Sequence, residues 1–85
     1  MGKNEKIIQM ILSGRQDTSV QFSEAVSILQ VLGFSLRIKG SHHIFYQEGI
    51  DEIINLQPDG SKAKAYQVKQ IRDIILKYQL GVNYE

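Results

Sequence analysis

The stretch GFSLRIKGSHHIFYQEG, residues 33–49, decides the fold of this chain. In its first half apolar side chains alternate with polar ones, a period of two that predicts a strand with one buried face. The apolar positions are Phe34, Leu36 and Ile38. Gly40 and Ser41 then turn the chain, and residues 42–47 resume an extended pattern. The stretch therefore predicts a β-hairpin.

Helical periodicity precedes this hairpin in two segments. Apolar side chains recur at three- and four-residue spacing between Asn4, a candidate N-cap, and Gly14, a candidate helix stop. A second stripe of the same kind runs from Phe22 to Gly33, where glycine provides the left-handed backbone that ends a helix. We expect two helices before the hairpin.

A third strand and a last helix follow the hairpin. Ile53, Ile54 and Leu56 predict the strand, and the Pro-Asp-Gly turn ends it. The apolar stripe of the last helix comprises Val68, Ile71, Ile75 and Tyr78. Three strands joined by short turns predict an antiparallel meander, and helices on both sides of it in sequence cover only one face. The predicted class is α+β, with a three-stranded antiparallel sheet and helices on one face.

Composition narrows the class of protein. A chain of 85 residues with 42% apolar residues and one proline suits one small folded domain. The net charge of +1 does not by itself argue for nucleic acid binding. Without cysteine there is neither a disulfide nor thiol catalysis. Gln9 and Ser13 interrupt the N-terminal apolar positions, which argues against a signal peptide or membrane span, so we expect a soluble cytoplasmic protein.

The second strand carries two adjacent histidines, and neighbours on a strand point to opposite faces. Ile44 and Tyr46 fit the core phase, so His43 and Phe45 are expected to point outward. His42 is then expected to point inward as a partly buried, hydrogen-bonded residue. Opposite orientation also keeps the two rings from sharing a metal ion, and no third ligand stands at a familiar spacing. We predict no metal site.

The face of the sheet that the helices leave uncovered would then combine Arg37, Lys39, His43 and Phe45, a set that suits RNA. Cations hold phosphates, an exposed aromatic ring stacks on an unpaired base, and a histidine moves a proton near neutral pH. The other interpretation is a solubilising sheet face with an incidental histidine.

A second group of cations lies around the start of the last helix. It comprises Lys62, Lys64, Lys69 and Arg72. Helix N-termini favour phosphate, so this group is a further candidate RNA contact. The alternative is a solvated helix face on which Asp73 compensates the charge.

Two segments carry a family resemblance: KGSHHIFY, residues 39–46, and INLQPDGSKAKAYQVKQIRDIILKYQL, residues 54–80. In order and spacing the chain resembles a HicA-type toxin, the mRNA-cleaving member of HicA–HicB toxin–antitoxin pairs, over residues 22–80. The resemblance implies a fold like that of double-stranded-RNA-binding domains, with an extra N-terminal helix here. It also implies RNA cleavage that needs no ribosome, and a HicB-like antitoxin that masks the active site.

The resemblance implies roles for individual residues as well. His43 falls on the catalytic histidine of the family, Gly40 and Ser41 on the turn that presents it, and Lys64 on a loop lysine. The resulting hypothesis is a metal-independent endoribonuclease that cleaves mRNA without a cofactor. His43 would be its general acid or base, and the expected RNA contacts are Lys39, Gly40, Ser41, Phe45, Lys62 and Lys64. The alternative is a non-catalytic RNA- or protein-binding module of the same fold.

The expected domain organisation is a single domain over residues 1–85. Residues 1–21 form an N-terminal extension, residues 22–80 the core of the domain, and residues 81–85 a tail.

Overall fold

The computed structural model describes residues 2–81 and contains three helices and three strands. In chain order these are α1 (Lys3–Ser13), α2 (Phe22–Val31), β1 (Ser35–Lys39), β2 (His42–Gln47), β3 (Ile50–Leu56) and α3 (Ala65–Tyr78). The predicted α+β class and its helix–helix–strand–strand–strand–helix order are confirmed. The predicted tail lies outside the described residues apart from Gly81.

The strands form one antiparallel sheet in the order β1-β2-β3. Lys39 pairs with His42 across the Gly40-Ser41 turn, and Gly40 has the positive φ of 62° that this tight turn requires. Directly opposed residues share a face, so the pairing places Leu36 on the same face as Phe45. The register of the hairpin thus decides which side chains of β2 point inward.

The inward-pointing residues of β2 are not the ones that the sequence pattern predicted. Phe45 is fully buried and opposes Ile54 of β3, which is also fully buried. Tyr46 is 42% exposed and lies with Ile44 on the opposite face. The prediction that Ile44 and Tyr46 face the core, and that Phe45 points outward, is therefore wrong. Both phases of β2 contain apolar residues, and pairing with β1 selects the phase of Phe45.

The helices pack on the face of the sheet that carries Phe45, which we call the helix-covered face. Ile11 of α1, Ile28 of α2 and Ile71 of α3 all have no exposed surface, and they join the strand residues in one core. The other face, which we call the open face, has no helix packed on it in the described part of the chain. Its strand residues are Ser35, Arg37, Lys39, His42, Ile44, Tyr46, Asp51, Ile53 and Asn55.

Local signals account for how α2 begins and ends. Gln21 is its N-cap, and the Gln21 backbone N–H donates to Glu24 Oε1 over 2.9 Å. Gly33 follows the helix with φ 98°, as predicted, and a Cβ there would stand 3.0 Å from the Gln47 side chain. The N-cap makes Phe22 the first residue of α2, and its contact with His43 puts it near the end of the sheet where β1 turns into β2.

The N-terminal helix α1 is part of the core. Ile7, Ile8 and Ile11 are buried, and its N-cap is Gly2 rather than the predicted Asn4. Arg72 of α3 donates to the Ile11 carbonyl oxygen and pairs with Asp17 over 2.9 Å. The Asp17 carboxylate raises the pKa of the Arg72 guanidinium above its ordinary value. This connection holds the segment after α1 against α3.

Candidate active site

His43 lies on the helix-covered face, near the edge of the helix layer. It opposes Ile38 of β1 and Leu56 of β3. Leu56 is fully buried, whereas Ile38 is 60% exposed. The cover provided by the helices therefore ends close to His43, and its imidazole is half-buried. The prediction that His43 points from the open face is wrong for the same reason as that for Phe45: the hairpin register sets the phase of β2.

Phe22 holds the imidazole of His43 in place. The two ring centroids lie 4.9 Å apart with an interplanar angle of 82°, an edge-to-face contact. Contacts of this geometry contribute about 0.5–1.5 kcal/mol beyond the area that they bury. The first turn of α2 thus restricts the orientation of His43.

The two nitrogens of His43 have different environments. Nδ1 is buried and has no hydrogen-bond partner among residues 2–81. Nε2 is not fully buried, and no hydrogen bond joins it to any described residue. Nε2 is therefore the nitrogen open to solvent, and a substrate would approach His43 from that side.

The loop before α3 brings Lys62 towards this end of the sheet. Residue Gln21 bridges to Lys62, and the Phe22 backbone N–H donates to the Ser61 carbonyl oxygen over 2.9 Å. The residue that contacts His43 is thus bound directly to the Asp59–Lys62 turn. These contacts join the start of α2 to the loop after β3. The sequence pattern does not predict them, because the two segments are far apart in the chain.

Lys64 is the N-cap residue of α3. Its backbone N–H donates to Gln67 Oε1, and Gln67 Nε2 donates to the Asn55 carbonyl oxygen. Gln67 is only 1% exposed, so these two bonds fix the start of α3 on β3. The first turn of α3 contains no acidic residue, which leaves its N-terminal N–H groups and Lys64 without a neighbouring carboxylate in that turn.

Lys39 and the turn do not share a face with His43. Lys39 opposes His42, so both lie on the open face, across the sheet from the His43 ring. Gly40 and Ser41 are exposed at the tip of the hairpin. The predicted grouping of Lys39 with His43 on one face is wrong, because their side chains leave the hairpin in opposite directions.

Phe45 cannot serve as an exposed stacking ring in this fold. Its side chain has no exposed surface and belongs to the core. Burying a phenylalanine side chain stabilises a protein by about 1.5–3 kcal/mol, which assigns Phe45 to the fold. Its neighbour Tyr46 does expose part of its ring.

His42 is exposed on the open face, where the prediction had it partly buried. Its Nδ1 lies 3.1 Å from Asn55 Oδ1, and its Nε2 lies 3.4 Å from Gln57 Nε2. Gln57 also donates to the Ser41 hydroxyl over 3.4 Å. The predicted hydrogen bonding of His42 is present, but it joins the turn to β3 on the surface.

A family model matches residues 22–81, and its description is the HicA toxin of bacterial toxin–antitoxin. The match covers most of the 85 residues, including α2, the whole sheet and α3. The chain belongs to the HicA toxin family. No curated protein and no solved structure matches this chain.

The HicA match begins at Phe22, the residue that contacts His43, and it excludes α1. Buried Ile7, Ile8 and Ile11 therefore come from outside the matched region. Within the HicA region the pattern of the sequence did not single out Phe22 as a site residue. The signal that could have found it is its place on the apolar stripe of α2, which packs on the sheet.

No group of three or more His, Cys, Asp or Glu side chains among residues 2–81 is arranged to hold a metal ion. No helix in the same range is long and apolar enough to cross a membrane.

Proposed function

We propose that this HicA-family toxin is a metal-independent endoribonuclease that cleaves mRNA with His43 as its general acid or base. The observation that carries the proposal is the placement of His43: one ring nitrogen is buried against the helix layer and the other is open to solvent. A ring held in this way presents a single nitrogen to a substrate. With mRNA as the substrate, the site of action would be the cytoplasm.

The proposed reaction is attack of the ribose 2′-oxygen on the adjacent phosphorus, with departure of the 5′-oxygen. The P–O2′ bond forms, the P–O5′ bond breaks, one proton leaves the 2′-hydroxyl and one reaches the 5′-oxygen. His43 Nε2 would carry out one of these transfers directly, since an ordinary histidine gains and loses a proton near neutral pH. The products would be a 2′,3′-cyclic phosphate and a 5′-hydroxyl.

Lys62 and Lys64 are the proposed phosphate contacts. The bridge between Gln21 and Lys62 supports a position for Lys62 near the Phe22 side of the His43 ring. Lys64 stands at the start of α3, where helix N–H groups also favour an anion. Lys39, Gly40 and Ser41 remain candidate contacts only for RNA that passes the exposed tip of the hairpin.

The proposed partner is a HicB-like antitoxin that silences the toxin. The family description names a toxin–antitoxin system, which supports such a partner. Masking of His43 requires that the antitoxin reach the helix side of the sheet, where Ile38 and His43 are accessible.

The decisive experiment compares two adjacent histidines. We expect His43→Ala to reduce cleavage of a labelled RNA by about 10²–10⁴-fold, since general acid–base catalysis contributes that much. His42→Ala is the matched control, because its ring lies on the open face, and its activity should stay close to that of the wild type. RNA binding by His43→Ala should persist, because Lys62 and Lys64 are unchanged. Full activity in His43→Ala would contradict the proposal.

The absence of a metal requirement has a separate test. Cleavage should continue in excess EDTA and leave 2′,3′-cyclic phosphate or 3′-phosphate ends. Loss of cleavage on chelation, with recovery after addition of one divalent ion, would rule out the metal-independent mechanism.

The second candidate function is a module that binds RNA or protein without cleaving. The unpartnered Nδ1 of His43 favours it, because no described carboxylate orients the ring from that side. Wild-type protein that binds the labelled RNA but leaves it intact would select this function.

A further inference from the structure

The imidazole of His43 lacks the hydrogen-bonded neighbour that usually orients a catalytic histidine. A general acid or base is ordinarily held by a third group, such as a carboxylate or a backbone carbonyl, which bonds to the ring nitrogen that faces away from the substrate. Nδ1 of His43 is buried and has no such partner among residues 2–81. Within the described part of the chain, no hydrogen bond therefore fixes which ring nitrogen points to solvent.

The side chain of Phe22 stands against the imidazole instead. The two rings meet edge to face, with their centroids 4.9 Å apart and an angle of 82° between their planes. This contact depends on orientation, because the positive edge of one ring lies against the negative face of the other. The residues that oppose His43 on the neighbouring strands, Ile38 and Leu56, are aliphatic and provide neither a hydrogen bond nor a ring face.

The position of Phe22 is itself fixed from two sides. Its side chain packs against the core of the domain. Its backbone N–H donates to the Ser61 carbonyl oxygen over 2.9 Å, beside the bridge between Gln21 and Lys62. A residue that is supported in this way is suited to hold a reacting group in one place, since precision at a site depends on the packing of the residues around it.

We infer that Phe22 is a positioning residue, whose ring keeps the imidazole of His43 in the orientation that presents Nε2 to the RNA. It takes the role that a hydrogen-bonded neighbour has in other sites. This inference rests on the proposed function, because that function assigns the proton transfer to His43. Loss of the Phe22 ring should lower kcat and leave KM nearly unchanged, since the proposed phosphate contacts Lys62 and Lys64 remain.

The test measures kcat and KM of each variant on one labelled RNA. Phe22→Leu keeps an apolar side chain but removes the ring, and it should lower kcat by about 10-fold or more, because misplacing a reacting group by about 1 Å costs on the order of 100-fold. Phe22→Tyr restores the ring and should keep kcat within about 2-fold of the wild type. Phe34→Leu is the matched control: it makes the same change at a core phenylalanine that is 5% exposed and has no ring contact with His43. Its kcat per folded molecule should equal that of the wild type.

Two further measurements separate positioning from stability. Proton–nitrogen NMR correlations of the His43 ring should show one ring orientation in the wild type and in Phe34→Leu, and exchange between two orientations in Phe22→Leu. A double variant supplies the second measurement. Phe22→Leu should slow cleavage no further in a chain that already carries His43→Ala, because two residues that act through the same group have non-additive effects.

The outcomes distinguish this inference from the proposed function. Wild-type kcat in Phe22→Leu, together with loss of cleavage in His43→Ala, overturns the positioning role and leaves the ribonuclease in place. A raised KM with unchanged kcat in Phe22→Leu would make Phe22 an RNA contact and overturns the role as well. An additive loss in the double variant, or an equal loss of kcat in Phe34→Leu, would assign Phe22 to the fold alone. A wild-type chain that leaves the RNA intact overturns the proposed function and this inference together.

Discussion

The two faces of the sheet are made by the same strands but have opposite character. The helix-covered face carries Phe45, Ile54 and Leu56 without exposed surface, and it also holds His43 at its edge. The open face leaves 42% of Tyr46 and 61% of Ile53 exposed, and its cations Arg37 and Lys39 have no ion-pair partner among residues 2–81. Adjacent residues of a strand therefore differ in exposure, because the side-chain period of a strand is two and they point to opposite faces.

The comparison separates two kinds of surface that adjacent residues form. On the helix-covered face, packing against the helices limits the freedom of each side chain, which suits a ring that must present one nitrogen. On the open face no described helix packs against Tyr46 or Arg37, so their side chains keep more freedom than those of the core. A substitution should therefore cost more stability on the helix-covered face than on the open face.

The largest difference in stability between the faces is expected for substitutions of Phe45 and Tyr46. Phe45→Ala should lower the free energy of unfolding by about 3–5 kcal/mol, because it leaves a cavity in the core. Tyr46→Ala should lower it by about 1 kcal/mol or less, because much of the ring is already in water. Urea denaturation with far-ultraviolet circular dichroism measures both.

If Phe45→Ala does not fold, Phe45→Leu keeps most of the volume and should cost about 1.5 kcal/mol or less. Equal losses of stability for Phe45→Ala and Tyr46→Ala would break the comparison, because the two faces would then be equally packed.

A smaller difference in stability is expected for substitutions of the two histidines. His43→Ala should cost about 1 kcal/mol, since it removes the edge-to-face contact with Phe22. His42→Ala should cost no more than about 0.5 kcal/mol, because His42 and its bond to Asn55 are exposed. Thermal melts of both variants measure the difference, and a greater loss for His42→Ala would reverse the assignment of faces.

The smallest effect is a dependence of stability on pH that arises from Glu52. Hydrogen bonds from Tyr78 and Lys77 of α3 lower the pKa of the Glu52 carboxyl below its ordinary value. A carboxyl whose pKa is lowered by folding contributes stability above its unfolded pKa, about 4.3 for glutamate, and loses that contribution as the pH falls further.

Melting temperatures between neutral and acid pH test this point. Glu52→Gln should flatten the decline of the melting temperature at acid pH, and Tyr78→Phe should flatten it in part. Asp51→Asn, which removes the adjacent carboxylate on the open face, is the matched control. An equal change in both carboxyl variants would remove the distinction between the faces at this position.

Much of the fold was predictable from local patterns. The helical stripes, the left-handed Gly33 and the turn at Gly40 each depend on a few adjacent residues, and each is confirmed. The faces of β2 were not predicted correctly, because Ile44, Phe45 and Tyr46 are all apolar and periodicity alone does not choose between them. Counting pairs outward from the two-residue turn would have placed Phe45 opposite Leu36 and resolved the choice.

The candidate site was predictable only in part. His43 was identified from its residue type and from the family resemblance, whereas its orientation and its contact with Phe22 depend on the packing of α2. Lys62 was identified as a cation, but its position depends on the bridge to Gln21, more than forty residues earlier in the chain. Lys39 was assigned to the wrong partner because its face follows from the hairpin register.

The sequence by itself determined the order of the elements, the turns between them and the membership of the HicA family, since these depend on residue types at short and regular spacing. Only the tertiary structure decided that Phe22 of α2 contacts His43 and that Lys62 of the loop before α3 bridges to Gln21. Those properties arise from pairing and packing between segments that are distant in sequence, where hydrogen-bond register and burial of apolar surface select one arrangement from several that the local pattern allows.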